Sequence, residues 1–346
     1  DGQIDEQPCN WDLSGEPFRV PGGQTSLTEN PPLAATPVSI ACPNGHAVNL
    51  GDLICPVCRV DVQEVSGRGP ELLTGSDTHP HPSTSMTVAG WRLVRPLRPS
   101  SNVRERYIAQ RISDGRQAVL TLYRTGSEPD PSVYEVLRLL PLDHVPQILE
   151  TGRFEDRAFE VVEELTGGTL EDVGLLPNDL ETICLIVREV GRALHAFSEV
   201  GLRHRDLRPG NILLRSRTPL DLVVIGFGSA RLSDFDLDIV SPLETTRYMA
   251  PETVAGGVAA ASDWWSLGMI ILEQVTRGVC FDGINEQAFL IHILSKGVPL
   301  PDDLDPQVKV LLRGLLARDR AIRWQWKEVH SWLLGEPVEA PDSGHQ

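Results

Sequence analysis

Cys42, His46, Cys55 and Cys58 stand at the spacing Cys-x3-His-x8-Cys-x2-Cys. Thiolates and an imidazole are the donors that tetrahedral Zn2+ takes, and a shell closed by four protein groups implies a structural ion. Pro43, Asn44 and Gly45 in the first pair, and Pro56 in the second, are turn residues that let backbone amides face thiolate sulfur. A segment this short has too little core to fold unaided, so the metal would supply its stability. A disulfide or free thiols are the competing readings. Cys9, Cys184 and Cys280 are scattered and form no disulfide framework, which favours a reducing, cytoplasmic setting. Cys184 and Cys280 read as small buried hydrophobes.

The elements around these residues change character along the chain. Residues 1–38 are rich in Pro, Gly, Ser and Thr and read as a loose arm. Residues 39–64 hold the Cys/His segment, and 65–86 form a linker by composition. Residues 87–165 offer short strand-like runs at Trp91–Val94, Arg106–Ala109, Ala118–Tyr123 and Ala158–Val162, with a helix carrying Val133, Val136, Leu137 and Leu140 between them. Residues 166–336 are mainly helical. Asp179–Val200 shows the apolar stripe Ile183, Ile186, Val187, Val190, Leu194 and Phe197, closed by Gly201, and Trp264–Thr276 and Pro306–Leu316 read likewise. Residues 337–346 are a tail. A strand-rich part followed by a helical one is an α+β arrangement.

The net charge of −17 argues against nucleic-acid binding, and no apolar run is long enough for membrane insertion. A local basic patch from Arg92 to Arg111 reads as a solvated face. Only Lys296, Lys309 and Lys327 are lysines. That bias toward arginine suggests a GC-rich coding sequence and a bacterial source. The start at Asp1 suggests a segment of a longer polypeptide, with flanking domains or a protein partner as its contacts.

His204-Arg205-Asp206-Leu207-Arg208-Pro209-Gly210-Asn211 resembles the catalytic loop of protein kinases, H-R-D-L-x-x-x-N. Gly226-Phe227-Gly228 stands after the strand-like Leu222–Ile225, where the family has D-F-G, and Ala250-Pro251-Glu252 matches A-P-E. Asp263 opens what looks like the family's central helix, and Arg323 matches the arginine that pairs with the A-P-E glutamate, here Glu252. The resemblance covers residues 87–334. It implies a bilobal protein-kinase-like fold, with a β-rich N-lobe over 87–165 and a helical C-lobe over 166–336. The Cys/His segment resembles a zinc ribbon preceding it. By the same resemblance Asp206 would accept a substrate hydroxyl proton, Asn211 would hold a metal, and His204 would be a buried scaffold residue. Val162, Glu163 and Leu165 would edge an adenine pocket.

Other positions depart from the family. The Gly-rich loop corresponds to a stretch around Ser101 and Asn102, and no glycine occurs between Gly90 and Gly115. The phosphate-gripping lysine falls on Thr121, leaving Glu135, at the spacing of its usual partner, without an ammonium. The magnesium-binding aspartate is Gly226. One such electrostatic contact is worth about 10²–10³ in rate. Three losses together would cost ~10⁴ or more, roughly 5 kcal/mol of barrier.

The leading expectation is therefore a pseudokinase, with structural Zn2+ and without ATP or Mg2+, serving as a protein-binding or regulatory module. One alternative is an atypical ATP-dependent protein Ser/Thr kinase, or a nucleotidyl transferase, using Asp206 and Asn211. Another is a structural spacer in a multidomain protein. An arginine or a bulky apolar group from residues 98–108 is expected to fill the cleft.

Overall fold

In this computed structural model the described residues are 39–41, 47–49, 86–97, 103–233, 238–239, 246–281 and 283–341. Cys42, His46, Cys55, Cys58, Ser101 and Asn102 lie outside them. The chain divides into two units, Glu16–His81 and a larger one that includes Pro82–Gln346. In the smaller, β1 (Ser39–Ala41) pairs antiparallel with β2 (Ala47–Asn49), Ser39 opposite Asn49.

The larger unit begins with β3 (Thr87–Val88), β4 (Trp91–Pro96), β5 (Arg104–Arg111) and β6 (Gln117–Tyr123). A short helix, α1 (Pro131–Leu137), precedes β7 (Ile148–Phe154) and β8 (Arg157–Glu163). These strands form one antiparallel sheet in the order β3-β4-β5-β6-β8-β7. Successive side chains in a strand point to opposite faces, and that alternation sorts this sheet. Tyr107 and Ala109 of β5, Ala118 and Leu120 of β6, and Phe159 and Val161 of β8 pack into one core with Trp91 and Leu93. The intervening residues Arg104, Arg106 and Ile108, Val119 and Thr121, and Glu160 and Val162 line a cavity on the other face.

Beyond β8 follow α2 (Leu170–Val173) and α3 (Leu180–Glu199), the latter capped by Asp179, whose side chain accepts from Thr182 N at 2.7 Å. Gly201 closes α3 at φ 70°, the left-handed conformation a glycine adopts at least cost. Next come β9 (Leu202–Arg203), β10 (Ile212–Arg217), β11 (Leu220–Val224), β12 (Arg231–Leu232) and β13 (Asp238–Ile239). Then follow α4 (Pro251–Val254), β14 (Gly257–Val258), α5 (Ala260–Val275), α6 (Glu286–Ser295), α7 (Pro306–Leu315) and α8 (Trp326–Leu333). Helix α5 is apolar nearly all round, and the second core closes on it: Trp264, Trp265 and Ile271 meet Ile186 and Val190 of α3 and Leu311 and Leu315 of α7 in one cluster. A helix buried on every side belongs at the centre of a lobe. The two-lobed arrangement expected from the resemblance is the one observed. Among the described residues no helix is long and apolar enough to cross a membrane.

Candidate active site

The loop after β9 is held from below. Asp263, on the first turn of α5, accepts His204 N at 2.8 Å with one carboxylate oxygen and Arg205 N at 2.9 Å with the other. Arg205 adopts φ 68°, a strained conformation for a side-chain-bearing residue that persists only where its surroundings enforce it. Burial pushes the Asp263 carboxyl above its ordinary value, against the opposing pull of His204 and the two amides. Burial also pulls the fully enclosed His204 imidazole below its ordinary value. Its Nε2 lies 2.8 Å from Ile225 O, which can only accept, and Asp206 N donates to its Nδ1 at 3.3 Å. The neutral Nε2–H tautomer satisfies both. His204 is thus a strut under the loop, stacked edge-on against Phe227 at 5.0 Å.

Asp206 and Asn211 meet at the end of that loop. Asn211 Nδ2 donates to Asp206 O at 2.7 Å and to Asp206 Oδ2 at 2.8 Å. Arg208 Nε lies 3.3 Å from the other carboxylate oxygen, within ion-pair reach but without hydrogen-bond alignment. Arg323 grips Glu252 with two guanidinium nitrogens, one at 2.9 Å, and Ser262 Oγ donates to the same carboxylate at 2.8 Å.

Above the loop lies a cavity of about 260 Å³, reached by Val162, Glu163, Glu164 and Leu165 on one edge and by Ile225, Gly226 and Phe227 on another. Glu163 is tied to Gln147 N at 2.8 Å. Thr121 is buried in its wall, directly opposite Arg106 on one side and Glu160 on the other. Arg106 and Arg95 also line the cavity. Burial pulls the Arg106 guanidinium below its ordinary value and neighbouring Arg104 adds to that, while Asp172 and Glu160 oppose. Arg104 crosses from the sheet to the loop, its Nη2 donating to Asn211 Oδ1 at 3.0 Å and standing 3.8 Å from Asp206 Oδ2.

Two sequence expectations need correction. Glu135 does not enter the cleft: α1 turns Val133, Tyr134 and Leu137 inward, which leaves position 135 exposed. Tyr134 takes the inward place, its hydroxyl donating to Glu160 Oε2 at 2.9 Å. The basic stretch from Arg92 to Arg111 is also not wholly a solvated face, because strand alternation in β5 turns Arg104 and Arg106 into the cleft. An arginine was expected there, yet it leaves the cavity open rather than filled. The signal for both arginines was in the sequence, as cations two residues apart on a strand next to the one that had lost its lysine.

A divalent ion does not fit beside Asn211 as the site stands. Gly226, at φ 87°, supplies no carboxylate, and a Cβ there would come 2.3 Å from Asn211 Oδ1. That same oxygen carries the Arg104 guanidinium. Among the described residues, no group of three or more His, Cys, Asp or Glu side chains is placed to hold a metal.

The protein kinase domain profile matches residues 103–333. The DNA damage-responsive serine/threonine-protein kinase RqkA of Deinococcus radiodurans is 33% identical over 240 residues, covering 64% of this chain and 36% of that protein. Serine/threonine-protein kinase ATG1a of Arabidopsis thaliana is 32% identical over 235 residues, covering 62% and 36%. Serine/threonine-protein kinase AtPK1/AtPK6 of the same plant is 31% identical over 188 residues, covering 52% and 39%. The chain thus spans little more than a third of the length of these relatives. These matches overturn the pseudokinase reading, since the relatives are named as serine/threonine-protein kinases and the profile runs through Thr121 and Gly226. That reading counted each missing group at its own position and took an arginine of residues 98–108 as a plug, whereas Arg104 and Arg106 line a cavity that stays open. The chain belongs to the protein kinase domain family.

Proposed function

We propose that this domain is an atypical ATP-dependent protein serine/threonine kinase with Asp206 as its base. The observation that carries the reading is the pairing of Asp206 with Asn211 at 2.8 Å beneath a cavity lined by Arg95, Arg104 and Arg106. Arg106 is the residue directly across from Thr121, so a guanidinium from β5 takes the duty of the missing ammonium on β6. The acceptor class follows from the named relatives. In the reaction the substrate hydroxyl oxygen forms a bond to the γ-phosphorus while the bond from that phosphorus to the β,γ-bridging oxygen breaks. The hydroxyl proton passes to the Asp206 carboxylate and the nucleoside diphosphate leaves. A positioned base contributes about 10²–10⁴-fold to such a step.

The test is transfer of labelled γ-phosphate from ATP to a Ser/Thr-rich acceptor protein such as casein. Incorporation is expected, falling about 10²-fold or more in Asp206→Asn. No incorporation, or incorporation unchanged in that variant, overturns the reading. We also propose a structural zinc on Cys42, His46, Cys55 and Cys58, on the strength of their spacing and donor chemistry.

A further inference from the structure

We propose that the Arg104 guanidinium stands in for the divalent ion of this site, so that the cleft takes a nucleoside triphosphate free of metal. The inference rests on the nucleotide reading above and adds to it how the phosphate charge is met.

Three observations converge on Arg104. Its side chain is only 4% exposed, and its Nε is buried with no hydrogen-bond partner. Its Nη2 occupies the one oxygen, Asn211 Oδ1, that the family resemblance assigns to the metal, and approaches the Asp206 carboxylate at 3.8 Å. Position 226, the other expected metal ligand, is a glycine whose missing Cβ is the space Asn211 fills, 2.3 Å from where that carbon would sit. The three features depend on one another. A carboxylate at 226 would collide with Asn211 as it stands, and a metal at Asn211 would set a second cation against a buried guanidinium. A buried guanidinium keeps its proton and its planar fork suits phosphate oxygens, so it can supply positive charge here without a coordination shell. Arg106, one residue further along the same face of β5, adds a second fixed charge.

Metal complexed to the triphosphate would then compete with Arg104 for the same oxygens. Nucleotide is expected to bind with 1 mM EDTA at least as tightly as with 10 mM MgCl2, about threefold or more tighter where the competition is direct. The experiment is titration of the full chain with a fluorescent ATP analogue in both buffers, for wild type, Arg104→Gln and Arg104→Lys. Arg104→Gln is expected to weaken binding in EDTA about tenfold or more, and Arg104→Lys by less. Melting temperatures identify any variant that fails to fold, and the wild-type comparison stands without the variants. Binding that requires Mg2+ overturns the inference while leaving the kinase reading in place. Equal affinity of folded Arg104→Gln in EDTA overturns it too. No binding in either buffer overturns both.

Discussion

Moving the phosphate-facing charge from β5 back to β6 tests whether Arg106 does the work of the absent lysine. Arg106 and Thr121 are directly opposite in the β5–β6 ladder, so their Cβ atoms are about 4.5–5.5 Å apart. Both line the cavity. Arg106→Ala removes a cation whose Nε has no protein partner. A hydrogen bond to a charged group is worth about 1.5–3 kcal/mol, so ATP affinity should fall roughly 10- to 150-fold. Adding Thr121→Lys on that background places an ammonium in the same wall. Its other cross-strand neighbour is Glu160, which provides a carboxylate partner and offsets part of the cost of burying the charge. The double variant should regain about tenfold of the lost affinity, though a point charge will not reproduce every contact of a planar fork. The assay is titration with a fluorescent ATP analogue, with melting curves for all three proteins. The reasoning is refuted if folded Arg106→Ala binds ATP like wild type, or if the double variant stays at the level of the single one.

Other consequences follow from parts of the chain away from the cleft. Arg323→Met leaves Glu252 half-enclosed without its bidentate partner, a loss of about 3–5 kcal/mol. At ~2–4 °C per kcal/mol the melting temperature should drop by about 6 °C or more, and a drop under about 2 °C contradicts the assignment. Burial pushes Glu252 upward, but the hydrogen bonds and charge of Arg323 outweigh it and hold the carboxyl below its ordinary value. A carboxyl depressed by folding stabilises fully above its unfolded pKa and loses that contribution as pH falls through the folded one. The melting gap between wild type and Arg323→Met should therefore hold at neutral pH and narrow in acid, and a gap that widens in acid would be contrary. For the proposed zinc, elemental analysis of the purified chain should find one ion per molecule, absent from a Cys55→Ser, Cys58→Ser variant. Metal-free wild type, purified without chelator, would remove that proposal.

How far the sequence led depended on the range of the contacts involved. Helix α3 was readable because its apolar stripe, Asp179 cap and Gly201 stop are local features, and Arg323 reaches Glu252 as the resemblance implied. Strand β7 was missed because its residues are mostly half-buried and carry no clean alternation. Helix α6 was missed as well. Its inward residues Phe289 and Leu290 adjoin the exposed Ile291, so the apolar run has no clear polar side to give it a helical period. The cleft failed for another reason. Comparing position with position records that Thr121 is not lysine, but only the β5–β6 register says that Arg106 faces it. Glu135 misled in the same way, since spacing along the chain does not reveal which side of a seven-residue helix faces in.

The choice of arginine over lysine at positions 104 and 106 gains a physical sense from that register. An ammonium buried beside another cation readily gives up its proton, whereas a guanidinium stays charged in proteins. Arg106 experiences both stresses, burial first and Arg104 second. Two arginines at positions 104 and 106 share one face of a strand about 6.6–6.8 Å apart. That strand is paired on both sides, with β4 and β6. Charges fixed in this way need little ordering when a ligand arrives, unlike a glycine loop whose amides must first be arranged. On the proposed reading, this lobe meets its phosphates from the rigid wall of the sheet, and the loss of a flexible glycine cover and the gain of buried arginines are two sides of one design. A lysine-for-arginine exchange along β5 would therefore weaken nucleotide binding even though the formal charge is unchanged.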